Sequence, residues 1–288
     1  FFFKQKTAYE IRNCDWSSDV CSSDLAHADD VLLVNALHEV ALGKLRRELF
    51  QVLLRDVRAD KDDARVALRE FVDGEEFTFD TVCIEGRPAY FNIAQYHPRP
   101  LIARSNEWIS PIIQTLRDLE DPAIRPGVEL GRRVLGALGM GTGFTHMEWF
   151  RKPDGEAVFG EIACRAPGAN MVDLMNYTGD IDLFREWARV VTWRRFEAST
   201  ARPWSAAIVF KRAEGQGRIA RIDGLEAFKR RYGHAIAREE LLPVGTPRRD
   251  WKQTFLSDGN LVVRDPDPDV ALGIAMDAAR SIRMYAHP

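Results

Sequence analysis

Gly143-Phe-Thr-His-Met-Glu-Trp-Phe150 and Phe159-Gly-Glu-Ile-Ala-Cys-Arg165 flank a turn, Arg151-Lys-Pro-Asp-Gly-Glu156, and their pairing decides how the chain is read. Both flanks are apolar enough for buried strands, and the Pro-Asp-Gly core is hairpin chemistry. A two-residue loop centred on Asp154-Gly155, or a four-residue loop from Pro153 to Glu156, sets Glu148 directly opposite Glu161. Strand side chains alternate with period two, so His146 and Arg165 then share their face. Opposed like charges destabilise a sheet. A divalent cation between them turns that repulsion into ligation by hard oxygen donors, the kind Mg²⁺ prefers. A three-residue loop with a bulge would instead send the acids to opposite faces. The competing reading of the pair alone is a solvated hairpin with acids on its wet side.

Outward from the hairpin, the chain describes a globular protein: 288 residues, net charge −3 and 45% apolar residues. The near-neutral charge gives no electrostatic reason to expect nucleic acid. No apolar run reaches the roughly 18 residues of a membrane span. Residues 1–25 stand apart. Phe1 to Phe3 precede Lys4 and Lys6, the reverse of a signal peptide, and the run lacks any helical or strand period. It resembles translated sequencing-adapter DNA and is set aside as non-native. Cys14 and Cys21 go with it, and Cys83 and Cys164 form neither a disulfide framework nor a metal spacing. A reducing cytoplasm is the default compartment.

Amphipathic spacing predicts a helix over 31–57, then strands over 66–72, 77–84 and 89–96. Helices are expected near 112–119, 127–138, 171–177 and 181–193, with a closing helix over 270–284. The stretch Glu197-Ala-Ser-Thr-Ala-Arg-Pro203 reads as a linker, followed by short strands at 205–211 and 218–222. Antiparallel strands and hairpins with interposed helices make an α+β pattern. Gly139-Met-Gly-Thr-Gly143 follows a helix and precedes a strand, so it reads as a helix stop rather than a phosphate loop. Cys164 is expected on the far side of the hairpin as a small core residue. No serine carries a nucleophile-elbow signature.

Arg165 on a face with two acids makes sense if an anion such as phosphate bridges it to a cation. Acids, cation and arginine around a phosphoryl group are the parts of phosphoryl transfer. Arg69-Glu-Phe-Val-Asp-Gly-Glu-Glu-Phe77 reads either as an ordinary strand-turn-strand or as a nucleotide clamp.

Three stretches, Arg69-Glu-Phe-Val-Asp-Gly-Glu-Glu-Phe-Thr-Phe-Asp80, His146-Met-Glu-Trp-Phe150 and Gly160-Glu-Ile-Ala-Cys-Arg-Ala-Pro-Gly-Ala-Asn170, stand in this order. Together they resemble the ATP-grasp superfamily of carboxylate-amine ligases, over residues 66 to about 195. The resemblance implies an ATP-grasp fold with an antiparallel sheet core. It divides the chain into a lid remnant over 26–68, a catalytic core over 69–196 and a small strand-rich C-terminal α/β module over 204–288. It implies ATP as nucleotide, with Glu70, Phe71 and Val72 as the adenine hinge and Glu76 as the ribose contact. Glu148 and Glu161 become ligands of Mg²⁺, with Mn²⁺ as an alternative, and Arg165 holds the transferring phosphate. His146 and Asn170 are further nucleotide-site candidates, and His97 and Arg99 occupy a region where relatives place basic groups. Relatives often carry Asn where this chain has Ala163. The implied reaction joins a small-molecule carboxylate to an amine through an acyl phosphate; a biotin-carboxylase-like activity and a non-catalytic ATP-binding module are the alternatives. A homodimer is left open. No Gly/Ser-rich loop precedes Glu70, and Lys44 and Lys61 match no motif. The chain is therefore expected to be the C-terminal part of a longer enzyme, inactive by itself.

Overall fold

The computed structural model describes residues 72–288. Glu70 and Phe71, the helix expected over 31–57, the strand expected over 66–72 (but for Val72) and the segment 1–25 lie outside the described residues. From Asp73 to Pro288 the chain forms one compact unit.

Its backbone is a nine-stranded sheet in which every pairing is antiparallel. The strands are β1 (Glu75–Ile84), β2 (Arg87–Asn92), β3 (Ala94–His97), β4 (Ile112–Thr115), β5 (Gly143–Arg151), β6 (Ala157–Ala163), β7 (Ser205–Phe210), β10 (Ile236–Leu241) and β11 (Gly259–Asp265). Their order is β10-β11-β7-β4-β3-β1-β5-β6, with β2 paired to β1. A second, three-stranded sheet holds β8 (Glu214–Gly215), β9 (Arg218–Asp223) and β12 (Arg283–His287), with β12 central. The helices are α1 (Pro100–Ser105), α2 (Arg125–Ala137), α3 (Met171–Gly179), α4 (Leu183–Trp193), α5 (Leu225–Tyr232) and α6 (Pro268–Ser281). Across the 197–203 stretch the large sheet is continuous, because β7 pairs with both β4 and β11.

Helices cover both faces, so central strands are buried on both sides. On one face α2 packs Val128, Val134 and Leu135 against Phe77, Phe79, Met147 and Trp149. On the same side, farther along the sheet, α6 brings Ile274, Ala275 and Ala278 against Val209, Leu261 and Val263. The opposite face is covered by α3 and α4, through Met171, Leu174, Leu183 and Val190, against Val82, Phe144, Ile208 and Val262. Along β1 and β5 this second face changes character. Val82 and Phe144 sit under the helices, and the same parity then presents Asp80, Thr78 and Glu76 from β1, and His146 and Glu148 from β5.

The structure departs from the expected elements at several places. Residues 112–115 are a strand, not the start of a helix; all four are buried between β3 and β7. Ile112-Ile-Gln-Thr115 is only four residues long and buried on both faces, Gln114 and Thr115 included, so it shows no alternation by which strand and helix differ. The strand expected over 89–96 is two strands parted at Ile93, and only β3 reaches β4. The closing helix stops at Ser281, and the chain re-enters a sheet as β12. Cys164 is exposed rather than a core residue, with its thiol 3.9 Å from the Met140 sulfur. It follows the last residue of β6, where the strict alternation of the hairpin has already ended. Gly139 does end α2: Leu138 caps it, and the Met140 amide donates back to the Leu135 carbonyl.

Candidate active site

The hairpin reaches the expected pairing by an unexpected route. The Lys152 amide donates to the Glu156 carbonyl at 2.9 Å, which leaves Pro153-Asp154-Gly155 as a three-residue loop with Gly155 at φ 87°. From that loop Arg151 pairs with Ala157, Phe150 with Val158 and Trp149 with Phe159. Continued unchanged, this register would put Glu148 against Gly160 and send the two acids to opposite faces. A bulge intervenes at Gly160. Beyond it Glu148 pairs with Glu161, Met147 with Ile162 and His146 with Ala163. One extra residue on one strand shifts the partner by one and turns the side chain over. Gly160 suits the place sterically, since a Cβ there would lie 2.7 Å from the Glu148 carbonyl oxygen.

Around the opposed acids β1 and β3 add a polar lining. Asp80 is fully buried and places Oδ1 2.5 Å from His146 Nδ1. His146 Nε2 lies 3.7 Å from Glu148 Oε1, and the Tyr96 hydroxyl donates to the same oxygen at 3.3 Å. Burial alone would lower the His146 pKa, but the carboxylates of Asp80 and Glu148 outweigh it and raise it to about 9. Burial pushes Glu148 upward, and His146, Tyr96 and Arg165 reverse this and hold its pKa below the usual value. Glu76 shows the opposite balance. Burial first, then the charges of Glu148 and Glu161, raise it to about 7 against the opposing pull of Arg99. Tyr96 is pushed well up, by burial and then by the charges of Glu148, Asp80 and Glu76.

The structure therefore brings Glu76, His146, Glu148, Glu161 and Arg165 into one electrostatic neighbourhood on one end of the sheet. Arg99, just before α1, lies near enough to Glu76 to act on its charge, and donates to Asp73 Oδ1 at 3.3 Å and the Gly74 carbonyl at 3.0 Å. Val72 is half-buried, next to Asp73. Asn170 stands at the start of α3 with φ 56°, directly after Ala169 with φ 53°. Two successive residues with side chains in the left-handed region carry backbone strain, which structures concentrate at functional sites. Arg165 donates to the carbonyl of its neighbour Ala166 at 3.0 Å. His97, the other basic candidate, lines a cleft of about 980 Å³ with Tyr96, Arg99, Arg151 and Lys152. Asp80, Thr78 and Tyr96 escaped the sequence reading. Asp80 lies in a quoted motif, but nothing local marks it as facing His146, and Tyr96 arrives from a third strand.

Among the described residues no group of three or more His, Cys, Asp or Glu side chains is placed to hold a metal ion by itself. The donors present nevertheless suit Mg²⁺. That ion takes one or two carboxylates and completes its octahedron with water and substrate phosphates. An opposed pair of carboxylates, beside a third acid whose pKa is raised by burial and then by their charge, is a place where a cation would relieve repulsion.

Solved structures with this arrangement of strands and helices are known. An L-amino acid ligase from Bacillus licheniformis superposes with a TM-score of 0.62 at 17% identity, over 75% of this chain and 55% of that one. An N5-carboxyaminoimidazole ribonucleotide synthetase from Thermotoga maritima gives 0.56 at 20% identity, over 79% and 59%. An N5-carboxyaminoimidazole synthetase from Staphylococcus aureus, complexed with ADP, gives 0.50 at 15%, over 73% and 50%. The chain has the ATP-grasp fold. It spans a little over half the length of the first structures it matches. No family model matches the sequence, and no curated protein matches it either. Within the ATP-grasp fold seen here, no helix among the described residues is long and apolar enough to cross a membrane.

Proposed function

We propose that this chain carries the acid-and-arginine half of an ATP-dependent ligase site, in which a substrate carboxylate is activated by phosphorylation and joined to an amine. The observation that carries the reading is the bulge at Gly160, which sets Glu148 and Glu161 against each other on the face that also holds Glu76, His146 and Arg165. A solvated hairpin has no need of a register correction that concentrates like charge. Two of the structural neighbours, an L-amino acid ligase and a synthetase complexed with ADP, support the same reading.

Glu148 and Glu161 would hold Mg²⁺, which when bound neutralises charge on the nucleotide's phosphates. Arg165, with a planar, permanently charged fork, suits the phosphoryl group in transfer. Attack of a carboxylate oxygen on the terminal phosphorus of ATP releases ADP and forms an acyl phosphate. An amine then attacks the acyl carbon and phosphate departs in place of a poor oxide leaving group. The chain's share of this is positioning and electrostatic stabilisation. Glu76, whose carboxyl pKa is raised to about 7 by burial and then by Glu148 and Glu161, would be the contact to the ribose hydroxyls.

The test is calorimetric titration of ATP into the 288-residue protein with and without Mg²⁺, followed by ADP release across a panel of carboxylates and amines. Mg²⁺-dependent nucleotide binding that is lost in Glu148→Gln and in Glu161→Gln is the expected result. Nucleotide binding with the same affinity in those variants and in wild type would remove the metal site from the reading. Carboxylate-stimulated ADP release would support the ligase over a nucleotide-binding module and would overturn the expectation that this chain is inactive by itself.

A further inference from the structure

A single polar chain crosses three strands and ends on one oxygen of Glu148. The Ala94 amide donates to Thr78 Oγ1 at 3.2 Å, and that hydroxyl donates to Asp80 Oδ2 at 2.6 Å. The other Asp80 oxygen meets His146 Nδ1 at 2.5 Å, which places the proton of that nitrogen between them and turns the opposite edge of the ring toward Glu148. His146 Nε2 and the Tyr96 hydroxyl both face Glu148 Oε1, at 3.7 Å and 3.3 Å. Thr78 and Asp80 are fully buried, and Tyr96 and His146 nearly so, whereas the Glu148 side chain keeps about a quarter of its surface exposed. The protein thus grips one carboxylate oxygen from its buried side.

We propose that Tyr96 and the Asp80-His146 pair are positioning residues that hold Glu148 by Oε1 and thereby present Oε2 to the cation. This rests on the reading of Glu148 as a metal ligand and adds to it a stated ligating oxygen and the residues that select it. A carboxylate free to rotate can offer either oxygen or both. One tied on Oε1 offers a single oxygen in a fixed direction, which matches the strict octahedral demand of Mg²⁺ better than the looser sphere of Ca²⁺. Such outer partners orient ligands elsewhere, and their loss typically lowers metal affinity about 10- to 100-fold. The position facing His146 across the hairpin is Ala163, whose methyl group can neither ligate nor donate. Ala163 itself therefore adds nothing to the orientation of Glu148, for which β1, β3 and His146 supply the contacts named above.

The experiment uses the full 288-residue protein, Mn²⁺ as a paramagnetic probe and adenylyl-imidodiphosphate as a non-hydrolysable nucleotide. Mn²⁺ affinity is read by electron paramagnetic resonance, and metal-free nucleotide affinity by calorimetry. Tyr96→Phe and Asp80→Asn are expected to weaken Mn²⁺ binding about tenfold while changing metal-free nucleotide affinity less than about twofold. A merely structural loss would lower both. Ca²⁺ competition should become relatively stronger in both variants, since the directional restraint is gone. Wild-type Mn²⁺ affinity in Tyr96→Phe and Asp80→Asn, with loss in Glu148→Gln, would overturn the positioning role and leave the ligand role standing. Unchanged Mn²⁺ affinity in Glu148→Gln and Glu161→Gln would overturn the ligand reading and this proposal with it. Should Asp80→Asn fail to fold, Tyr96→Phe decides, because it deletes one hydroxyl from an otherwise intact ring.

Discussion

The two faces of the β1–β5 pair are built from alternating residues of the same two strands, and they solve burial in opposite ways. On one face Phe77, Phe79, Met147 and Trp149 are essentially sealed from solvent under α2. On the other, Glu76, Thr78, Asp80 and His146 are buried almost as deeply, and Glu148 and Glu161 meet at the edge. The first face is satisfied by apolar contact and one indole hydrogen bond, from Trp149 to the Thr78 carbonyl. The second gathers four carboxylates with His146 and Arg165, and burial first, then the charges of Glu148 and Glu161, raises the pKa of Glu76. Burying charge without full compensation costs stability, and perturbed acids gathered in one place mark candidate functional sites. The comparison teaches that one pair of strands can carry an apolar support on one side and a charged, functional-site-like surface on the other, and the cation proposed above is what the polar side would hold.

The largest expected effect breaks the apolar face. Trp149 stacks on Phe77 with centroids 4.8 Å apart, and its indole N–H donates to the Thr78 carbonyl at 3.1 Å. Trp149→Ala removes a fully buried ring and leaves that carbonyl without its indole donor. A loss of about 3–5 kcal/mol in urea unfolding is expected, and a loss below about 1 kcal/mol would mean that α2 closes over the gap and that this face is not the rigid support described.

Next in size is Gly160→Ala, which acts on the seam between the faces. A Cβ would stand 2.7 Å from the Glu148 carbonyl oxygen, a backbone atom that cannot swing aside. Overpacking of this kind costs about 1–3 kcal/mol. The diagnostic readout is functional: Mg²⁺-dependent nucleotide binding should fall far more than stability does, because the register that opposes Glu148 and Glu161 depends on this residue. Equal modest losses in both would show that the bulge tolerates a side chain. The same residue marks the limit of what the sequence made legible. The hairpin, its turn residues and the Glu148–Glu161 pairing were readable, because strand period and turn chemistry are local. The loop was not the two- or four-residue form that the pairing requires, and only the bulge at Gly160, which no local pattern announces, restores the register. The strand at 112–115 is unreadable for a related reason, since four residues buried on both faces, two of them polar, have no periodicity to report. Asp80 and Tyr96 join the site through strand order, β3-β1-β5, which depends on long-range pairing. Cys164 was misplaced because alternation was extended one residue past the end of β6.

The smallest effect sharpens the comparison from the polar side, and its sign is opposite. Glu76 has its folded pKa raised from 4.5 to about 7, by burial first and by Glu148 and Glu161 after it. Between those two values the folded state binds the proton more tightly than the unfolded one, so stability falls as pH rises through this window. Below about 4.5 the residue is neutral in both states and Glu76→Gln should match wild type. Above about 7 wild type bears a buried charge that Gln lacks. After allowance for solvent at the site, Glu76→Gln should therefore be more stable than wild type by about 1–2 kcal/mol at pH 8.5, with the gap shrinking toward pH 5. Urea titrations of both proteins at the two pH values measure it. Saturating Mg²⁺ should narrow the difference at pH 8.5, since a cation held by Glu148 and Glu161 cancels their contribution to the repulsion felt by Glu76. A variant less stable than wild type at pH 8.5, or a gap indifferent to Mg²⁺, would mean that the charges on this face are already balanced within the protein. The contrast between the two faces would then be one of polarity and not of an unmet need for a cation.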